Sequence, residues 1–176
     1  MLFLPELTLL GVGLVFFFLS LGKPSSVKIQ TVATTLAALV VLVTLICLKS
    51  EGELFYKAYR IDLFSQLFKF LIALAALIVL VFSDTLVGVK EEVQAEYYLF
   101  LFVSVLGLMM LVSSVELLAI FVSLELSSFA VYIMVPMRNS STVSGSQAEA
   151  GVKYLLFGVM ATGFMLFGMS YIFGLT

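Results

Sequence analysis

Six apolar runs, each near twenty residues long and set apart by short polar stretches, take up almost the whole chain. A helix crossing the hydrocarbon of a bilayer needs roughly 20 such residues. The pattern therefore predicts helices over about 3–21, 29–48, 63–83, 94–112, 114–135 and 147–173. Gly22-Lys23-Pro24 stops the first, Lys49-Ser50-Glu51 the second and Asp84 the third. Residues 49–62 form the longest charged connector, carrying Lys49, Glu51, Glu53, Lys57, Arg60 and Asp62. Asp62 is placed to cap the third helix. Ser113 followed by Glu116, and Ser146 followed by Glu149, have the spacing of capping boxes for the fifth and sixth helices, with Pro136 closing the fifth. The stretch RNSSTVSGSQ between them has turn composition. All six runs share one composition, so the expected architecture is an all-α polytopic transmembrane helix bundle forming a single domain over residues 1–176.

Composition narrows the function classes. The chain is 62% hydrophobic and 11% charged, against roughly 45–50% and 25% for soluble domains. A net charge of −2 offers no basic surface for nucleic acid. The single Cys47 and the absence of histidine argue against haem, zinc and iron–sulfur ligation in this chain. The N-terminus lacks a basic region, carries Glu6 early and has too long an apolar run for a secretory signal, so it reads as the first membrane helix. With six spans, Lys23, Lys28, Lys90 and Arg138 fall on one side and Lys49, Lys57 and Arg60 on the other. The excess of basic residues places the first group in the cytoplasm and the N-terminus outside.

Two ionisable residues inside apolar spans carry the candidate chemistry. Glu125 falls near the middle of the fifth helix, and helical spacing puts Phe121, Ser128, Phe129 and Tyr132 on its face. Ser128 and Tyr132 supply hydroxyls to hold the acid or a water. A charge at the bilayer centre costs about 2.5–3.5 kcal/mol even on lenient scales, and intramembrane carboxylates mark ion or proton paths. The plainer alternative is a protonated acid joining helices. Lys153 lies roughly 10 Å below the start of the sixth helix, and Glu125 roughly 15 Å below the same surface at 1.5 Å per residue. That depth difference brings the two within range of sharing a proton directly or through one water. Against this stands an i,i+4 pair of Lys153 with Glu149, or snorkelling. Lys69, inside the third helix, reads first as a snorkelling lysine and second as relay support, and Glu6 as an interfacial residue of the first helix. Ser123/Ser127 and Gly158/Thr162 have the small-xxx-small spacing of close helix contacts.

The segments AEYYLFLFVSVLGLMMLVSSVELLAIFVSLELSSFAVYIMVPM and EAGVKYLLFGVMATGFMLFGMSYIFG, with LPEL near the N-terminus and the Asp-Leu-Phe-Ser start of the third helix, resemble the antiporter-like membrane subunits of bacterial respiratory NADH–quinone oxidoreductase (complex I), subunit N above all. The resemblance implies an N-terminal portion of such a subunit, sited in the bacterial inner membrane among the other membrane-arm subunits. It implies proton translocation through a buried Glu–Lys relay, with Glu125 and Lys153 matching two relay positions. It also implies no cofactor and no catalysis of its own here, with NADH, FMN, iron–sulfur clusters and quinone held by partner subunits. Family members have about fourteen helices, and the lysines of their seventh, eighth and twelfth have no counterpart before Thr176. A fragment, a truncated product and half of a split subunit all fit. Two other readings stay open: a subunit of a multisubunit cation/proton antiporter, and a structural membrane scaffold.

Overall fold

The computed structural model describes residues 2–22, 26–83, 88–138 and 146–175. It consists of six long helices and one small hairpin: α1 (Leu4–Gly22), α2 (Ser26–Ile46), β1 (Gly52–Leu54), β2 (Tyr59–Ile61), α3 (Leu63–Phe82), α4 (Gln94–Ser113), α5 (Leu117–Met137) and α6 (Ser146–Leu175). All six helices are long and apolar enough to cross a membrane. Most helix ends lie within a residue or two of the hydropathy boundaries. The second and fifth helices differ by three residues at their starts. Asp84, expected to stop the third helix, and most of the Ser/Gly-rich stretch before α6 lie outside the described residues, as does the side chain of Ser146.

Helix α4 is the centre of the bundle, packed between α1 and α5 and touching α3. Lipid tails are as apolar as leucine, so helix association in a bilayer depends on close packing and on polar contacts between helices. Both are present. Phe16 of α1 is fully buried and meets Tyr98 and Phe102 of α4, with ring centroids 5.7 and 5.4 Å apart. At the α4–α5 seam Gly107 lies directly against α5. A Cβ on it would stand 2.6 Å from Ser127 N and 2.9 Å from Ser123 O. Hydroxyls bond across the same seam, Ser104 with Ser127 at 3.0 Å and Ser114 with Ser123 at 3.2 Å. The apolar window of α6 buries no residue, and this helix packs chiefly on α5.

The charged connector is not an open loop. Gly52, Glu53 and Leu54 pair antiparallel with Ile61, Arg60 and Tyr59, and alternation turns Tyr59 and Ile61 inward while Arg60 stays exposed. Phe55, Tyr56 and Lys57 at the tip all have positive φ, between 53° and 75°. A non-glycine residue adopts that conformation at a cost, which the clamped ends of the hairpin offset. One clamp is Asp62, whose carboxylate accepts from Ser65 N at 2.8 Å while Ser65 Oγ accepts from Asp62 N at 2.9 Å. This reciprocal cap starts α3, and the backbone N–H of Ser65 holds the Asp62 carboxyl below the usual range. The other clamp joins the hairpin to the α4–α5 connector, where Val115 N donates to Ala58 O at 3.0 Å and Tyr59 pairs with Ser114.

That second clamp overturns the capping box expected at Ser113 and Glu116. Ser113 is the buried last residue of α4, and α5 starts only at Leu117, with Glu116 before it making no side-chain cap. The backbone between them is committed to the hairpin and cannot form the cap. Pro136 stays inside α5, which ends one residue later at Met137.

Two substitutions test this packing. Gly107→Val should separate α4 from α5, because its side chain meets backbone and not a flexible side-chain end; the loss is read as reduced resistance to unfolding in detergent. Asp62→Ala should cost about 1 kcal/mol through the lost cap. The cap's contribution is present above the ordinary aspartate range and disappears as pH falls through the lowered pKa. Asp62→Ala should therefore show a flatter stability profile than the wild type from pH 7 down to pH 3, the two converging at low pH, and a profile parallel to the wild type's would contradict the cap's role.

Candidate functional site

Helix α5 presents two different polar faces. Ser123 and Ser127 turn toward α4, as the Gly107 contacts require. Glu125 is two residues from each of them, about 200° around the helix, and turns toward α6. There Thr162 Oγ1 donates to Glu125 Oε1 at 2.9 Å and also to Gly158 O at 3.1 Å. Glu125 Oε2 is buried and has no partner among the described residues. Two turns further along α5, Tyr132 lies on Gly158 so closely that a Cβ there would overlap its phenol. Tyr132 also packs edge-on against Tyr154 at 5.2 Å and Phe129 at 5.8 Å. Pro136 and Gly151 make the next contact. The Gly158/Thr162 pair seen in the sequence therefore forms this seam.

Lys153 does not meet Glu125. It pairs with Glu149 at 2.5 Å, and both side chains are about two-thirds exposed (66% and 64%). The reason is the helix register. Glu125 lies opposite Thr162, which is nine residues beyond Lys153, or about 13.5 Å along the axis. Depth counted from helix ends underestimated that gap, because α6 extends beyond α5 and starts its pairing at Gly151. Ser128 and Tyr132 share the expected face, yet Thr162 is the residue that bonds the acid.

A second ionisable centre lies at the hairpin end, and it revises the expectations for Glu6 and Lys69. Both side chains are buried inside the protein. Lys69 Nζ is 2.6 Å from Glu6 Oε1, with the side chains 0% and 1% exposed. Tyr59 from β2 donates its hydroxyl to the same oxygen at 2.6 Å, and Lys69 Nζ also lies 5.0 Å from the centre of the Tyr59 ring. Burial, then the Glu6 carboxylate, push the Tyr59 phenol far above its ordinary pKa, so it remains a donor. Gln66, one turn before Lys69 on the same face of α3, is fully buried. The signal in the sequence was the stripe Ser65, Gln66, Lys69, Ala73 along an otherwise Leu- and Phe-rich helix. A snorkelling lysine would not need polar neighbours on its own face.

Comparison with known proteins places these residues in context. Residues 113–176, which hold α5, α6 and Glu125, match the family described as NADH:quinone oxidoreductase/Mrp antiporter, TM. "NADH-quinone oxidoreductase subunit N 2" of Opitutus terrae is 40% identical over 99% of this chain and 36% of its own length. The subunit of the same name in Syntrophobacter fumaroxidans is 39% identical over 99% and 36%, and subunit N of Geobacillus kaustophilus 34% over 98% and 35%. The fold is that of a chain in respiratory complex I from Thermus thermophilus, with a TM-score of 0.77 and 24% identity over 98% of this chain and 37% of that one. It is also that of a chain in an archaeal membrane-bound sulfane sulfur reductase, with a TM-score of 0.71 and 20% identity over 96% and 37%.

The two lysines should respond very differently to removal. Lys69→Met leaves the Glu6 charge buried and should cost about 3–5 kcal/mol. Lys153→Met removes an exposed i,i+4 pair and should cost about 0.3–0.5 kcal/mol. Unfolding of the two variants in bicelles checks the order, and equal losses would contradict the geometry. From end to end this chain is related to subunit N of the NADH–quinone oxidoreductases, of which it spans about a third of the length.

Proposed function

We propose that this chain works as part of a proton-translocating membrane subunit in a complex I-type NADH–quinone oxidoreductase. The observation that carries the reading is the state of Glu125: an acid inside a membrane-spanning helix, fixed through one oxygen by Thr162, with its other oxygen buried and unpartnered. A carboxylate held that way is oriented for proton exchange at Oε2 without being locked into a salt bridge. Thr162 fixes the orientation of the carboxyl group through Oε1 and leaves Oε2 turned into the seam.

Lys153 enters this relay indirectly. Its ammonium pairs with Glu149 near the start of α6, and the contact of Tyr132 with Tyr154 and Gly158 lies between that pair and the level of Glu125 along the helix. Lys69 belongs to the separate hairpin-end centre. In this reading the bacterial inner membrane is the location, the other membrane-arm subunits are the partners, and partner subunits hold the NADH, FMN, iron–sulfur and quinone chemistry. The family description that covers both the oxidoreductases and the Mrp antiporters favours a second reading, a cation/proton antiporter subunit.

In the assembled complex in sealed vesicles, Glu125→Gln should leave assembly intact and remove most NADH-driven proton pumping. Thr162→Val should weaken pumping less, because it removes an orienting bond and leaves the acid. Full coupled pumping by Glu125→Gln would rule out the role. Proton exchange that depends on sodium and not on NADH would select the antiporter reading.

A further inference from the structure

The Glu6–Lys69 centre contains more hydrogen-bonding capacity than the protein satisfies. Glu6 Oε2 and both ends of the Gln66 amide are buried with no partner among the described residues. Lys69 Nζ makes one close approach, to Glu6 Oε1, and has no directed hydrogen bond. Buried polar atoms are nearly always partnered by protein or by ordered water, and an internal water makes about three hydrogen bonds. A carboxylate oxygen, an amide and an ammonium on adjoining helices offer that set of donors and acceptors.

We propose that Glu6, Gln66 and Lys69 hold internal water, and that this water makes Glu6 a second proton-exchanging site at the hairpin end, separate from Glu125. The exchange balances simply. A proton delivered through the water converts the Glu6 carboxylate to the acid and dissolves the ion pair, and its return to the water restores the pair. Lys69 has somewhere to remain meanwhile, because its ammonium faces the Tyr59 ring, and such a contact is strong where water is scarce. Tyr59, being a donor, stays bonded to whichever form Glu6 takes.

The groups facing Glu6 can be named from each packed element: Lys69 from α3, Tyr59 from β2, and Cys47 from the turn after α2, which lies within electrostatic reach of both charges. From α4 comes the uncharged hydroxyl of Ser113, beside Tyr59. Tyr59 forms one wall of a cavity of about 310 Å3 lined by Phe3, Ala58, Met110, Ser114 and Ser123. Tyr59 thus stands between this cavity and the ion pair. The site does not depend on the role given to Glu125.

The test uses the full chain in lipid nanodiscs. A water-resolving density map should show at least one water bonded to both the Gln66 amide and Glu6, lost in Gln66→Leu and in the better-tolerated Gln66→Met. Infrared difference spectra between acid and alkaline pH should contain a carboxyl band that shifts in D2O, vanishes in Glu6→Gln and is perturbed in Gln66→Met. A dry site, with the Gln66 amide bonded to protein or lipid, would overturn the proposal. So would a Glu6 that stays ionised at every pH at which the chain remains folded.

Discussion

A lysine and a glutamate brought together away from bulk solvent control one end of this bundle. Each charge alone would be costly at that position, and truncating either leaves the other uncompensated. Their 2.6 Å contact therefore fixes α1 against α3. It also needs a cover that excludes solvent, and Tyr59 supplies one by donating to the acid and turning its ring to the ammonium. Tyr59 can be there only because residues 52–61 fold back as a hairpin. The hairpin is held in turn by the Asp62 cap on one side and the α4–α5 connector on the other. Even the late start of α5 follows from this, since its preceding backbone pairs with the hairpin.

The opposite half of the chain is built on small residues. Gly107 allows α5 onto α4, and Gly158 and Gly151 allow α6 onto α5. Because Ser123 and Ser127 occupy the α4 side, Glu125 is left to the α6 side, where Thr162 is its partner. The two ionisable centres thus differ in kind. Glu6 is neutralised by a directly bonded cation, whereas Glu125 has a hydroxyl and one unpartnered oxygen. The first ties its charge to the contact that joins α1 and α3, while the second keeps one oxygen without a partner among the described residues.

Much of this was legible in the sequence. Hydropathy gave the six spans, Asp62 was recognised as a cap, and the Gly158/Thr162 spacing marked a real contact. What failed was anything requiring the register between helices. Lys153 and Glu125 looked level because depth was counted from helix ends, and a helix that overruns its neighbour defeats that count. Lys69 was read by depth alone, when the polar stripe of Ser65 and Gln66 on its own face pointed inward. The hairpin escaped because Tyr59-Arg60-Ile61 is too short for alternation to stand out, and a tip with three left-handed non-glycine residues carries no turn signal.

The claim that the buried charge among the described residues is concentrated in Glu6 and Lys69 is tested most directly by a double-mutant cycle. Unfolding free energies in bicelles would be measured for the wild type, Glu6→Gln, Lys69→Met and the double variant. Two side chains in contact should show a coupling of about 1–3 kcal/mol, with the double variant more stable than the sum of the single losses implies. Additivity within about 0.5 kcal/mol would mean that the pair does not exist in the membrane.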